Sequence, residues 1–450
     1  MAARGFGWLF RAAGAAGAGI YAWGNNGSGQ LGQGNTTNRS SPVQVGTGTS
    51  WTDASIADHA IAIQSNGSLW AWGSGGEGRL GDGTTASKSS PVQIGSLTNW
   101  ATAQTQRFCT LALKTDGTLW SWGLGSLGRL GDGTTANKSS PVQIGSLASW
   151  TKIGYGSQSF FNGHAIRSGG TLWAWGFGGP SYTDTYGTIL NPPYPTVNQT
   201  TYSSPVQVSS AISWSAVSTG NSHALALTTG GALYAWGTNT NYQCGKSDLN
   251  NPFYYTVYPS TYECGGGGSA SFYAKYSSTI SLGNFPNLWN NSTASCESPV
   301  NGESATVFSV SSNTELWGFS SPVQVGTDTN WAQVAAGDYH SAAIKTTGTL
   351  WAWGYNAFGQ CGTSDVTPKS EPIQVGVATN WAYVKAGNDF TIGVRTNGTL
   401  WAWGRNVYGE LGIGNTTSRS SPSQVGSATN WLQAIDALDA GTYCSIAIRS

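Results

Sequence analysis

The chain has 450 residues, with 20 Lys+Arg balanced by 20 Asp+Glu, and its 9% charged content falls well below the ~25% of ordinary soluble domains. With 64 Gly, 22 Trp and 1 Met, its surface must consist mainly of Ser, Thr, Asn, Gln and Gly, which excludes an electrostatic footprint for nucleic acid or an anionic membrane and leaves few general acids or bases. No apolar run approaches the ~18 residues needed to cross a bilayer, so no membrane insertion is expected. Residues 1–18 come first, with Arg4 and Arg11 around the short apolar patch Phe6 to Phe10. Arg11 cuts that patch too early for an export signal, so the segment reads as a flexible arm or docking peptide.

From residue 19 a unit of 49 or 50 residues recurs. A Trp-Gly ends one strand of each unit, at Trp23, Trp72, Trp122, Trp175, Trp236, Trp353 and Trp403. A glycine-rich stretch follows, and then a Pro-x-Gln block at Pro42, Pro91, Pro141, Pro205, Pro322, Pro372 and Pro422. A lone Trp comes next, at Trp51, Trp100, Trp150, Trp214, Trp331, Trp381 and Trp431. The first aromatic of Leu-Trp-Ala-Trp-Gly is Trp70, Trp120, Trp173, Trp351 or Trp401, with Tyr21 and Tyr234 in two units. Nineteen of the 22 Trp thus occupy three fixed places, which a repeating structural unit demands.

Large and small side chains alternate in Leu-Trp-Ala-Trp, the period of a strand with two unlike faces. Dipeptides such as Asn66-Gly67, Asp116-Gly117 and Asn397-Gly398 precede it. They suit the positive φ of a tight hairpin. Several short strands per unit predict an all-β fold, a seven-bladed propeller of four-stranded antiparallel blades. The last unit stops at Ser450 without its Leu-Trp-Ala-Trp-Gly strand, and the chain starts with an orphan copy, Ile20 to Gly24. The N-terminal strand is therefore expected to complete the last blade and bury both edges. Glu315 to Gly318 lacks the lone Trp and glycine-rich stretch that an eighth unit would need. The expected organisation is an arm at 1–18 and a propeller at 19–450, with loop insertions at about 177–202 and 245–319, both between the glycine-rich stretch and the Pro-x-Gln block.

The unit W-G-x-N-x-x-G-Q-L-G, followed by P-x-Q-V and a G-x-x-H run, resembles the regulator of chromosome condensation repeat. Trp23 to Gly32 with Pro42 to Val45, and Trp353 to Gly362 with His340 upstream, carry the resemblance. It implies a seven-bladed propeller closed by a shared blade. Functions in the family range from a nuclear exchange factor to a secreted inhibitor and to phage and bacterial proteins. This chain lacks the basic tail that chromatin binding would use.

No catalytic residue, cofactor site or metal site emerges. His59, His223 and His340 occupy a slot that holds Cys109, Asn162, Phe390 and Cys444 in other units, which marks packing rather than ligation. His164 is two places out of register. Asp82 and Asp132, beside Arg79 and Arg129, repeat with the unit and read as loop caps. Cys244 and Cys361 replace the leucine of Gly-Gln-Leu-Gly and read as buried thiols. Cys264 and Cys296 lie in the long insertion, where a disulfide between them would staple a segment with little core.

The candidate partner-binding residues are the aromatics of the insertions: Tyr182, Tyr186, Tyr194, Phe253, Tyr254, Tyr255, Tyr258, Tyr262, Phe272, Tyr273 and Tyr276. Tyr, Ser, Gly and Asn-rich loops give contact area at low entropy cost. The expected function is a non-catalytic structural or recognition protein, a phage virion component such as a capsid decoration, spike or tail-fibre element. Its partners would be other virion or surface proteins and a host receptor or glycan. The alternatives are a secreted bacterial binding or inhibitor protein and, third, a small-GTPase exchange factor.

Overall fold

The structure is a computed structural model. It describes residues 17–154, 156, 162–177, 201–210, 212–246, 262–264, 268–270, 295–296, 305–306 and 318–450. Two compact units are present. The larger comprises residues 1–184, 199–247 and 319–450, and the smaller residues 185–198 and 248–318.

Seven four-stranded antiparallel sheets build the larger unit. Blade 1 shows the plan. Its inner strand Trp51–Ile56 pairs with His59–Gln64, then comes Leu69–Gly73 and, outermost, Lys88–Gln93. Blades 2 to 6 repeat it, with inner strands Trp100–Thr105, Trp150–Ile153, Trp214–Thr219, Trp331–Ala336 and Trp381–Ala386. Blade 7 joins the chain ends as expected, with one addition. The N-terminal segment supplies two strands, Gly19–Gly24 and Arg39–Gln44, beside Leu438–Ala440 and Cys444–Arg449. Six consecutive residue pairs, Gly19↔Arg449 to Gly24↔Cys444, zip this seam. It replaces two open edges with ladder hydrogen bonds.

The repeated sequence features each have a place in this plan. The outer strand carries the Pro-x-Gln block, and its proline denies a donor to any further strand. Its register against the third strand slips between Ala71 and Gly73, absorbing Pro91 in a bulge. The second Trp of each Leu-Trp-Ala-Trp is buried and reaches the preceding blade. Trp23 Nε1 donates to Glu410 O, Trp72 to Gln30 O, Trp353 to Gln243 O and Trp403 to Gln360 O, all at 2.9–3.0 Å. The glycine closing Gly-x-Leu-Gly lies against that indole. A Cβ on Gly412 or Gly362 would stand 2.7 Å from the indole nitrogen, at φ +68° and +70°. The lone Trp makes the other half of the joint, meeting its blade's two strand aromatics edge-on, as Trp331 does with Trp351 and Trp353.

Within the smaller unit, Tyr262–Cys264 pairs with Gly268–Ala270, and Ser295–Cys296 with Ala305–Thr306.

Candidate functional site

The seven inner strands are sheet edges, and an unpaired edge strand presents bare N–H groups. Polar residues at alternate positions of one inner strand cap the next one. Asp53 Oδ2 accepts from Ala103 N at 2.9 Å, Ser55 Oγ from Thr105 N at 2.9 Å and Ser218 Oγ from Ala336 N at 2.9 Å. Gln333 exchanges two bonds of 3.0 Å with Val384. At the closing seam Asp439 Oδ2 accepts from Ser55 Oγ at 2.6 Å and Ile56 N at 3.1 Å, with Lys385 Nζ 4.0 Å from its other oxygen. Burial holds the carboxyls of Asp53 and Asp439 above the usual range; Asp436 raises Asp53 further, and Lys385 opposes the shift at Asp439. These polar groups therefore have structural partners.

The histidines serve the same joints. His59 Nε2 lies 2.7 Å from Thr110 Oγ1, His223 Nε2 2.9 Å from Ser341 Oγ and His340 Nε2 2.9 Å from Thr391 Oγ1. Each hydroxyl gives its one proton to a loop carbonyl, of Arg79, Gln243 and Gln360 respectively. The imidazole must then be the donor, through Nε2–H. Burial pushes His223 and His340 down to about 3 and His164 to about 4. These buried rings pack at the joints between blades. Among the described residues no three His, Cys, Asp or Glu converge as metal ligands.

The repeated loop residues also match their reading. Asp82 Oδ1 accepts from Thr84 N at 3.0 Å, and Asp132 Oδ1 from Thr134 N at 2.9 Å. Cys244 and Cys361 are buried free thiols.

One end of the ring differs. It carries the turns from inner to second strand and the long connections from third to outer strand. In the sequence, both insertions fall within such connections, after Phe177 and after Lys246. Tyr182, Tyr186, Tyr194, Phe253, Tyr254, Tyr255, Tyr258, Phe272, Tyr273 and Tyr276 lie outside the described residues. Tyr262, Cys264 and Cys296 are described as strand backbone only, with their side chains outside the description.

On the loops of blades 5 to 7 at this end, aromatics cluster. The Arg405 guanidinium lies 4.6 Å from the Tyr443 ring, 5.5 Å from Tyr408 and 5.8 Å from Phe358. Tyr339 meets Tyr355 edge-on at 6.4 Å. Phe358 is 38% exposed and neighbouring Val407 52%. Beneath them Asn388 donates its amide to the Asp338 carboxyl and accepts from Tyr443 Oη at 3.3 Å. Burial and nearby Asp389 hold Asp338 well above the usual carboxyl range, so it favours the neutral form. On blades 1 and 2 the same end is basic. Arg79, Arg107 and Arg129 surround Phe108, with guanidinium carbons 5.1, 5.6 and 6.0 Å from its ring.

Neither cluster was singled out as a site from the sequence. The available signal was the slot of Gln30, Gln243 and Gln360, which becomes Arg79 and Arg129.

Two family models match the chain, both described as regulator of chromosome condensation (RCC1) repeat. One covers residues 18–63, 66–112, 116–161, 347–394 and 397–448, the other 214–243, 331–360 and 381–410. Among curated proteins, none matches. Of solved structures, Prp20p from Saccharomyces cerevisiae, studied with its binding to Gsp1p and histones, is 16% identical. The match covers 96% of this chain and 92% of that one, with a TM-score of 0.66. Yeast RCC1 (Prp20) bound to Kap60 is 16% identical over 98% of this chain and 91% of that one, with a TM-score of 0.67. Human WBSCR16 is 14% identical over 96% and 99%, with a TM-score of 0.67. At these identities the likeness is one of fold.

Proposed function

The chain belongs to the regulator of chromosome condensation (RCC1) repeat family, and from that premise we propose that it is a non-catalytic protein-binding propeller that recognises its partner with the loop-bearing end of the ring. One observation carries the reading. In a chain that is 9% charged, the loops of blades 5 to 7 gather Phe358, Tyr408 and Tyr443 around Arg405 and pair Tyr339 with Tyr355. Tyr and Arg are the residues that dominate binding energy at protein interfaces, and loops on a rigid scaffold are where recognition usually sits. The fold relative Prp20p, described for its binding to Gsp1p and histones, is a protein binder on the same architecture.

The finer reading is a virion surface element, a decoration or host-attachment protein. Composition supports it, together with duplication: Leu80 to Leu97 and Leu130 to Leu147 differ only at Ser87 against Asn137. A small-GTPase exchange role stands behind it, because the chain carries so little charge.

The test is photo-crosslinking from position 358 in native source material divided into virions, medium and cells. A discrete protein adduct in the virion fraction, lost on Arg405→Ala with Tyr443→Ala, is the expected result. An adduct that survives both substitutions, or the absence of any protein adduct, overturns the site. An adduct confined to the medium overturns the virion reading and leaves protein binding intact.

A further inference from the structure

The glycine-rich loops come in two kinds. In blades 4, 5, 6 and 7 an Asn follows Trp-Gly by two places and a Gln or Glu follows it by six. Asn356 Oδ1 accepts from Cys361 N at 2.8 Å and its Nδ2 donates to Asp365 O and Thr367 O. Gln360 Oε1 accepts from Phe358 N at 3.0 Å, as Gln30 does from Ser28 N and Gln243 from Asn241 N, both at 2.9 Å. The side chain closes on its own loop.

In blades 1 and 2 these places hold Gly75 with Arg79 and Gly125 with Arg129. A guanidinium has no acceptor and cannot make that cap. Arg79 instead donates from Nε to Gly76 O at 2.8 Å and from Nη1 to Arg107 O at 2.9 Å. Its tip is thus carried onto the turn of the next blade. Arg129 reaches the same ring, so three guanidiniums meet at Phe108. Arg79 and Arg129 are 7% and 4% exposed. Concentrating like charges where water is scarce is costly, and burial lowers both groups' affinity for their protons. An anion among them recovers that cost.

We propose that Arg79, Arg107 and Arg129 form an oxyanion site, occupied by a carboxylate from an acidic segment of a protein partner. The local charge selects a monoanion. Asp58 pairs with Arg107 at 3.6 Å, and Glu77 lies within the field of Arg79. Two carboxylates beside three guanidiniums leave the site weakly positive, which suits a carboxylate rather than a dianionic phosphate. The planar fork of Arg matches a carboxylate in two-point contact, and the Phe108 ring lies within 6.0 Å of all three guanidinium carbons. This site rests on the protein-binding reading but uses different blades from the Arg405 cluster.

The test is titration calorimetry at low ionic strength with acetylated hexaglutamate and, separately, inorganic sulfate. The full chain is compared with Arg79→Gln/Arg129→Gln. Gln is the residue that blades 7, 4 and 5 carry in this slot, so the variant's melting temperature is expected to stay within a few degrees, and it is measured first. A second double variant, Arg39→Gln/Arg419→Gln, removes the same charge from two outer strands. The expected result is hexaglutamate binding weakened at least tenfold by the first pair and unchanged by the second. Equal weakening by both pairs, or no binding by the full chain, overturns the site. Tighter binding of sulfate than of the peptide overturns its assignment to a carboxylate. Loss of this site with the position-358 adduct intact leaves the protein-binding reading standing.

Discussion

Blades 1 and 5 use the same glycine-rich loop with two different internal chemistries. In blade 5, Asn356 and Gln360 satisfy the loop's own backbone. In blade 1, the place of Asn356 is Gly75, where a Cβ would stand 2.2 Å from Ala86 O. The backbone there closes into the space the Asn side chain would need. A short 3₁₀ turn, Gly76–Gly78, replaces the open loop. Asn goes with Gln or Glu, and Gly goes with Arg. The two places therefore act as a pair: with Asn, the polar side chains cap their own loop, and with Gly75, the tip of Arg79 reaches the next blade. What both blades share is the far end of the loop, where a glycine lets the next Trp dock.

Breaking the shared part is expected to do the most damage. Gly81→Ala and Gly362→Ala each force a methyl to 2.6–2.7 Å from the indole nitrogen of Trp122 or Trp403, at φ +79° and +70°. Strain and overpacking together cost about 3 kcal/mol. The loss in urea-unfolding free energy is expected to be similar in both loop types. A loss below about 1 kcal/mol in either would show that the indole contact does not fix the loop.

The histidine slot separates the blades by pH. In blade 5 it holds His340, pushed down to about 3 by burial. In blade 2 it holds Cys109, whose thiol burial pushes up to about 11, so it stays neutral across the acid range. A histidine depressed in the folded state binds its proton more readily when unfolded. Its contribution is therefore intact above the unfolded value near 6.5 and is lost as pH falls toward 3. One such histidine gives a slope of about 1.4 kcal/mol per pH unit across that window. His340→Asn is expected to reduce the acid slope of stability between pH 6 and 4 by that amount, with His223→Asn doing the same. Unchanged slopes in chemical denaturation at stepped pH would mean that these rings are protonated in the fold.

Much of this architecture is legible in the residues. Leu-Trp-Ala-Trp-Gly alternates with a strand's period, and its orphan copy at Ile20 to Gly24 announces the shared blade. Its partner strand Arg39–Gln44 follows from the same rule, since a Pro-x-Gln block always lies outside that strand. The histidines read as packing because Cys, Asn and Phe fill the same slot. Their hydroxyl relays did not show, because Thr110, Ser341 and Thr391 sit in the next repeat and meet them only when blades stack. The arginine cluster was hidden for the same reason. Arg79, Arg107 and Arg129 come from three different segments, and only the direction of each side chain brings them to one ring.

The smallest expected effect tests the pairing itself. Gln360→Arg removes the cap on Phe358 N, a loss of about 1 kcal/mol. Asn356→Gly removes the bonds to Cys361, Asp365 and Thr367 and costs about 2 kcal/mol. If the two places were independent, the double variant would lose the sum. The Gly/Arg loops of blades 1 and 2 show that the combination has a fold of its own, with the arginine buried and the backbone closed. The double variant is therefore expected to recover about 1 kcal/mol relative to the sum, read as the coupling energy of a double-mutant cycle in urea. Simple additivity would mean that Gly75 and Arg79 occur together by descent of the duplicated blade and not because the loop requires both.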